Sequence, residues 1–219
     1  YATGLSAALS IASRILAGDE KTKENYLEFL SSGGNNYPLE ILKKVDVDMT
    51  TSKPIDEALS MLAKSNVNVI YLVDSYGSLY PENAGDLIKK YLKAVEDTNK
   101  QIGFHAHNNQ NLAFANTIET LSYGVSYLDT TALGMGRGAG NCATELLLGF
   151  LKNPKYSLYS LLTFIEKYMK PLRAEVEWGF DLQYMFTGQL NRHPREAIAF
   201  TDEKRTDYCE FYKGLLEND

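Results

Sequence analysis

Histidine, cysteine and tryptophan are scarce in this sequence, with three, two and one copies among 219 residues. Cys142 and Cys209 lie far apart with no CxxC spacing, which excludes a cysteine-built zinc knuckle and a disulfide framework. No charged stretch followed by an apolar core opens the chain, and no run of about 18 apolar residues occurs. The expectation is a soluble, cytoplasmic protein without a membrane segment. Basic residues are neither abundant nor clustered. Lys and Arg number 22 against 28 Asp and Glu, for a net charge of −6, which argues against a nucleic-acid surface. What is present is ordinary for a folded domain: 44% hydrophobic and 23% charged residues, in a chain long enough to bury a core. The fifteen tyrosines fall mostly in apolar patterns, where partly buried packing accounts for them.

The first sixty residues read as helices only. Leu5 to Leu16 and Lys21 to Leu30 carry apolar residues at helical spacing, broken at Gly18-Asp19. A turn cluster, Ser31 to Asn36, precedes Pro38, which suits the first turn of a short helix through Lys44. Pro54 opens a further helix with Ile55 to Ala63 as its body. After Lys64 the rhythm changes. Val67 to Val73 is continuous, apolar and β-branched, as expected of a strand buried on both faces. A helix from Pro81 to about Asp97 follows, then a strand (Gln101 to Ala106), a helix (Leu112 to Tyr123), a strand (Val125 to Thr131) and a helix (Cys142 to Leu151). Such alternation predicts βα units on a parallel sheet. Beyond Pro154 the pattern is mainly helical (Leu158 to Met169, Asp207 to Leu216), with irregular stretches around Trp178-Gly179 and Pro194.

Parallel α/β architectures bind ligands at the C-terminal ends of their strands. Three polar clusters fall there: Asp74-Ser75-Tyr76-Gly77, His105-Ala106-His107-Asn108-Asn109, and Asp129-Thr130-Thr131 running into Gly134 to Asn141. His105 and His107 are two apart, so a strand points both side chains the same way, where neutral imidazoles can share a divalent ion. A pair of hydrogen-bonded histidines at a strand end is the bland alternative. The Gly134 to Gly140 run is either a plain turn or a close backbone approach that aims Asn141 at a metal.

The stretches IYLVDSYGSLYPE and GFHAHNNQNLAFANTIETLSYGVSYLDTTALGMGRGAGNCATELLLGFL resemble the superfamily of HMG-CoA lyase and 4-hydroxy-2-oxovalerate aldolase, the DRE-TIM metallolyases. The resemblance runs from about Lys64 to Asp219 and includes the tail YMFTGQLNRHPREAIAF. It implies an α/β fold, a partial TIM barrel over residues 63–219 with a helical C-terminal extension. It also implies a lyase or aldolase acting on a small 2-oxo acid or acyl-CoA-type substrate. His105 and His107 match the metal-binding histidines, Asn141 a ligand or near neighbour of the metal, and Ser75 a position near the bound pyruvyl group. Gly136 and Gly138 belong to the substrate-binding loop. The implied cofactor is Mn²⁺ or Mg²⁺, with Zn²⁺ or Co²⁺ also compatible, polarising the keto oxygen and stabilising a pyruvate enolate. His193 is a candidate acid or base, or a surface histidine capping a helix beside Pro194.

The family barrel opens with an Arg-Asp pair that has no match here; Arg205 with Asp207 is the nearest pair, in the wrong context. Residues 1–62 are helical and, over Tyr1 to about Leu59, resemble the C-terminal end of M3-family oligoendopeptidase F, without its HExxH. The expectation is a splice of two enzyme fragments whose aldolase part is incomplete, with open sheet edges favouring a homo-oligomer or a complementing barrel half. An acetaldehyde dehydrogenase is the partner that the resemblance suggests. The alternatives are a non-catalytic metal-binding remnant and a fragment of a zinc peptidase.

Overall fold

In the computed structural model, residues 2–33 and 37–217 are described. The end of the Ser31 to Asn36 turn cluster, and Tyr1, lie outside them. The chain divides into two compact units, Tyr1–Ile70 with Tyr91–Lys100, and Tyr71–Lys90 with Gln101–Asp219. This division runs through the first strand.

The first unit holds helices α1 (Ala2–Leu16), α2 (Glu20–Ser31), α3 (Pro38–Lys43) and α4 (Lys53–Lys64). Asp19 starts α2 as an N-cap, its carboxylate accepting the Thr22 N–H at 3.0 Å and the Thr22 hydroxyl at 2.7 Å. The apolar core is small: Ala7, Ile11, Val45 and Val47, covered by Ile15, Tyr26, Phe29, Leu42 and Met49. Along α1 and α4 a polar seam accompanies it. Ser10 is fully buried, donates to the Glu57 carboxylate, and accepts from Arg14 at 2.7 Å.

Strands β1 (Val69–Asp74), β2 (Gln101–Ala106) and β3 (Tyr127–Asp129) lie side by side in that order, and β2 runs parallel to β3. Gly103 faces Tyr127, Phe104 faces Leu128, and His105 faces Asp129. The α/β class expected from the βα rhythm is therefore the one observed. The burial of β1 differs from expectation. Ile70, Leu72 and Asp74 are buried while Val73 is 43% exposed, so the strand alternates instead of hiding both faces. An apolar run reports that at least one face is covered; the period of two decides which.

Helices α5 (Pro81–Val95), α6 (Ala113–Ser122) and α7 (Thr144–Leu151) follow the three strands in turn. The stretch expected as one helix over Leu158 to Met169 is α8 (Leu158–Phe164), a π-helical turn (Ile165–Met169) and then α9 (Lys170–Glu175). Two further helices, α10 (Leu182–Gln189) and α11 (Arg195–Asp202), occupy the region around Pro194, before α12 (Tyr208–Glu217). Phe200, Phe211, Leu215, Ala197 and Tyr184 make one core cluster of these helices, and it includes Ala139 of the Gly-rich loop. Ile165, Met169 and Trp178 make another, packed against Leu133 and Met135. The C-terminal helices thus back the loop that the sequence marks for chemistry.

Phe104 is fully buried in the middle of β2. Phe104→Ala is expected to cost about 3–5 kcal/mol, because a ring-sized cavity opens beneath the strand that carries the histidines. Chemical denaturation followed by far-UV circular dichroism measures this; a loss under about 1 kcal/mol would contradict the packing described.

Candidate metal and substrate site

His105 lies on β2 and His107 just beyond its end, their ring centroids 5.1 Å apart and inclined at 70°. The i, i+2 spacing brings the rings together, as strand geometry requires. Each ring is held differently. His105 Nδ1 lies 3.1 Å from the Asp129 carboxylate, its register partner on β3. A neutral imidazole that donates Nδ1–H to a carboxylate presents its Nε2 lone pair, the arrangement common behind metal-bound histidines. His107 is partly buried, and its pKa is lowered to about 4 by burial, then by the charges of His105 and Arg137. At neutral pH its ring is uncharged, with a lone pair available to a cation.

Asn141 stands opposite His107 in an isolated antiparallel bridge. The bridge is closed by Asn108 N–H to Gly140 O (2.9 Å) and Cys142 N–H to Ala106 O (3.2 Å). The Asn141 side-chain N–H donates to Met135 O at 3.0 Å, leaving its Oδ1 buried with no hydrogen-bond partner. A buried amide oxygen is rarely left so, and an orphan acceptor beside two imidazoles fits a hard divalent cation. Among the described residues no three His, Cys, Asp or Glu side chains gather into a ligand group. The donor set available here is therefore two imidazoles and an amide oxygen.

The Gly-rich loop is shaped for that placement. A Cβ on Gly136 would lie 2.5 Å from the Asn141 amide nitrogen, and one on Gly140, at φ +82°, would lie 2.0 Å from Gly134 O. Leu133 takes φ +53°, costly for an L residue. Its N–H donates to Glu145 (3.1 Å) and its carbonyl accepts from the Trp178 indole (3.0 Å), so α7 and the segment after α9 hold the strained turn in place. Gly138 sits under the Tyr184 ring, where an added Cβ would come within 3.1 Å.

Asp74 closes β1 at 3% exposure, its pKa raised by burial against the opposing pull of backbone N–H groups. It accepts from Ser78 N–H (3.0 Å) and Leu79 N–H (3.2 Å), which folds the Asp74 to Gly77 loop back on itself. Ser75 lies on this loop, and its carbonyl accepts from Arg137 at 3.5 Å. His193 lies edge-on to Tyr76, with centroids 5.6 Å apart, and its Nδ1 accepts the Arg195 N–H at 3.1 Å. That bond caps the start of α11, the structural role open to a histidine before Pro194.

The structure thus gathers His105, His107, Asn141 and Gly136, sets Ser75 and Gly138 on the adjoining loops, and gives His193 a capping bond. Two residues were not assigned roles on sequence. Asp129 was visible only as a polar strand end, and its pairing with His105 depends on register. Arg137 was one letter inside a glycine motif. Nothing in its spacing signals that its charge reaches both His107 and His193.

Gly140→Ala is expected to destabilise the chain by about 1–3 kcal/mol from backbone strain, with the carbonyl clash added. Gly149→Ala, in open space on α7, is expected to be neutral or to stabilise by up to about 1 kcal/mol. Parallel denaturant titrations compare the two; equal effects would mean that the loop is not held as described.

Known proteins resemble this chain over part of its length. The 4-hydroxy-2-oxovalerate aldolase of Chloroflexus aurantiacus is 37% identical over 117 residues, 51% of this chain and 33% of that protein. The oxaloacetate decarboxylase of Mycobacterium tuberculosis is 41% identical over 87 residues, 39% of this chain and 25% of that protein. The chain therefore spans a third or less of the length of these curated relatives. The solved N-terminal domain of a candidate aldolase from Bacteroides vulgatus superposes with a TM-score of 0.56 at 28% identity. That superposition covers 74% of this chain and 57% of that one, consistent with part of a TIM-barrel-like aldolase fold. A family model described as HMGL-like matches residues 27–165, starting well before Lys64, and the chain belongs to the HMGL-like family.

Proposed function

We propose that this chain carries the histidine-asparagine portion of a divalent-metal aldolase or lyase site. The site breaks or forms a carbon–carbon bond beside the carbonyl of a small 2-oxo acid or acyl-CoA-type substrate. The observation that carries the reading is the buried, unpartnered Asn141 Oδ1 across a backbone bridge from neutral His107, with His105 beside it. Relatives named as an aldolase and a decarboxylase of 2-oxo acids support the substrate class.

When bound, Mn²⁺ or Mg²⁺ would supply Lewis acidity toward the substrate carbonyl oxygen, the imidazole and amide set favouring Mn²⁺. The chain's own groups do the rest. Asp129 fixes the His105 ring so that one nitrogen faces outward. Burial keeps His107 unprotonated. Gly136 leaves room for the Asn141 amide, and Gly138 for the Tyr184 ring that packs on the loop. Ser75, on the loop that Asp74 folds back, would orient the substrate. His193 has its Nδ1 committed to Arg195, so proton transfer by this residue would use Nε2. The Arg-Asp pair implied by the resemblance is not among the residues of this sequence. An acetaldehyde dehydrogenase partner belongs to the same proposal.

Mn²⁺ is expected to raise the melting temperature of the chain, and His105→Ala/His107→Ala to abolish the rise. At a hundredfold excess over the dissociation constant, binding to the folded state contributes about 2.7 kcal/mol. A wild-type chain whose melt ignores Mn²⁺, or a double mutant that keeps the shift, would retire the metal site.

A further inference from the structure

Arg137 is exposed at the tip of the Gly-rich loop, and of the second unit's arginines it and Arg195 have no ion pair or ring contact among the described residues. Arg205 is paired with Asp207 at 2.6 Å, Arg192 with Glu196 at 3.9 Å, and Arg173 lies over the Trp178 ring. Arg137 has no carboxylate partner among the described residues. The hydrogen bond its side chain makes is a long one, 3.5 Å, to the Ser75 carbonyl. It sits between Gly136, which abuts Asn141, and Gly138, whose φ of +62° is held under Tyr184. A charged group on a loop this constrained is presented to the strand ends.

Its charge is felt on two sides. Arg137 helps to lower the pKa of His107 and that of His193, after burial in both cases. Its guanidinium donates to the carbonyl of Ser75, on the loop that follows β1, which places it at the strand ends beside the loop that carries Asn141. No carboxylate of the described residues lies within ion-pair distance of the guanidinium, so its donors are open to an anionic ligand. Guanidinium is planar and always charged, and its parallel N–H donors match the two oxygens of a carboxylate.

We propose that Arg137 is the anion-recognition residue of this site and pairs with the free carboxylate of a 2-oxo acid substrate. The proposal rests on the metal reading of His105, His107 and Asn141 and narrows its substrate class. A ligand with a neutral ester or thioester at that end leaves the guanidinium without its partner, whereas a free 2-oxo acid satisfies it while its carbonyl lies toward the histidines.

The test is binding by isothermal titration calorimetry on the full chain, with pyruvate as probe and methyl pyruvate as its uncharged counterpart. Both are titrated with and without Mn²⁺, in the wild type and in Arg137→Gln and Arg137→Lys. Arg137→Gln is expected to weaken pyruvate binding tenfold or more while leaving Mn²⁺ affinity and weak methyl pyruvate binding unchanged. Arg137→Lys, which keeps the charge but loses the two-pronged geometry, is expected to fall between. If Arg137→Gln lowers the melting temperature, the lysine variant carries the comparison. Equal pyruvate affinity in wild type and variants, or no pyruvate binding by the wild type, overturns the proposal. Titrating Mn²⁺ alone separates the two readings. Mn²⁺ uptake with pyruvate binding indifferent to Arg137 removes only the arginine. Absence of Mn²⁺ uptake removes the metal reading, and the metal-free pyruvate titration still decides the role of Arg137.

Discussion

The backbone bridge between His107 and Asn141 is the contact on which the candidate site depends. It joins the end of β2 to the end of the Gly-rich loop through Asn108 N–H to Gly140 O and Cys142 N–H to Ala106 O. Without it, the amide oxygen of Asn141 would have no fixed relation to the imidazoles. The bridge in turn needs a loop that folds back within a few residues. Gly140 supplies the positive φ, and the absence of side chains at Gly136 and Gly140 lets Asn141 and the Gly134 carbonyl close in.

The loop does not hold this shape by itself. Leu133 remains in a left-handed conformation because Glu145 and Trp178 bind its two backbone polar groups. Tyr184 covers Gly138, and Ala139 is packed into the cluster of Phe200 and Phe211. Strain at one turn is thus offset by packing of elements that come much later in the chain. This gives the helices after residue 154 a physical purpose, since they are the wall against which the loop is set.

Polar groups at the strand ends divide between holding the backbone and facing outward. Asp74 is almost fully buried and spends its oxygens on the N–H groups of Ser78 and Leu79. Asp129 is half exposed and orients His105. His193 caps α11. What remains uncommitted is Asn141 Oδ1 and the Arg137 guanidinium apart from its long bond to Ser75. These are one acceptor suited to a cation and one donor fork suited to an anion.

Local rules made much of this legible in advance. The alternation of β-branched runs with helical patterns announced the βα order, because hydrophobic period is a property of neighbouring residues. The HxH spacing announced two rings on one face for the same reason. The helix starts at Pro38 and Lys53 were also local, resting on proline in the first turn. Contacts across long sequence intervals were not legible. The partner of His105 is 24 residues away and follows from strand register; the residue that holds Leu133 is 45 away and follows from helix packing. Sequence by itself determined which residues could ligate and in what order the elements come. Tertiary structure alone decided which donors converge, which are spent on the backbone, and that Arg137 has no carboxylate partner among the described residues, because those outcomes depend on pairings that no local pattern encodes.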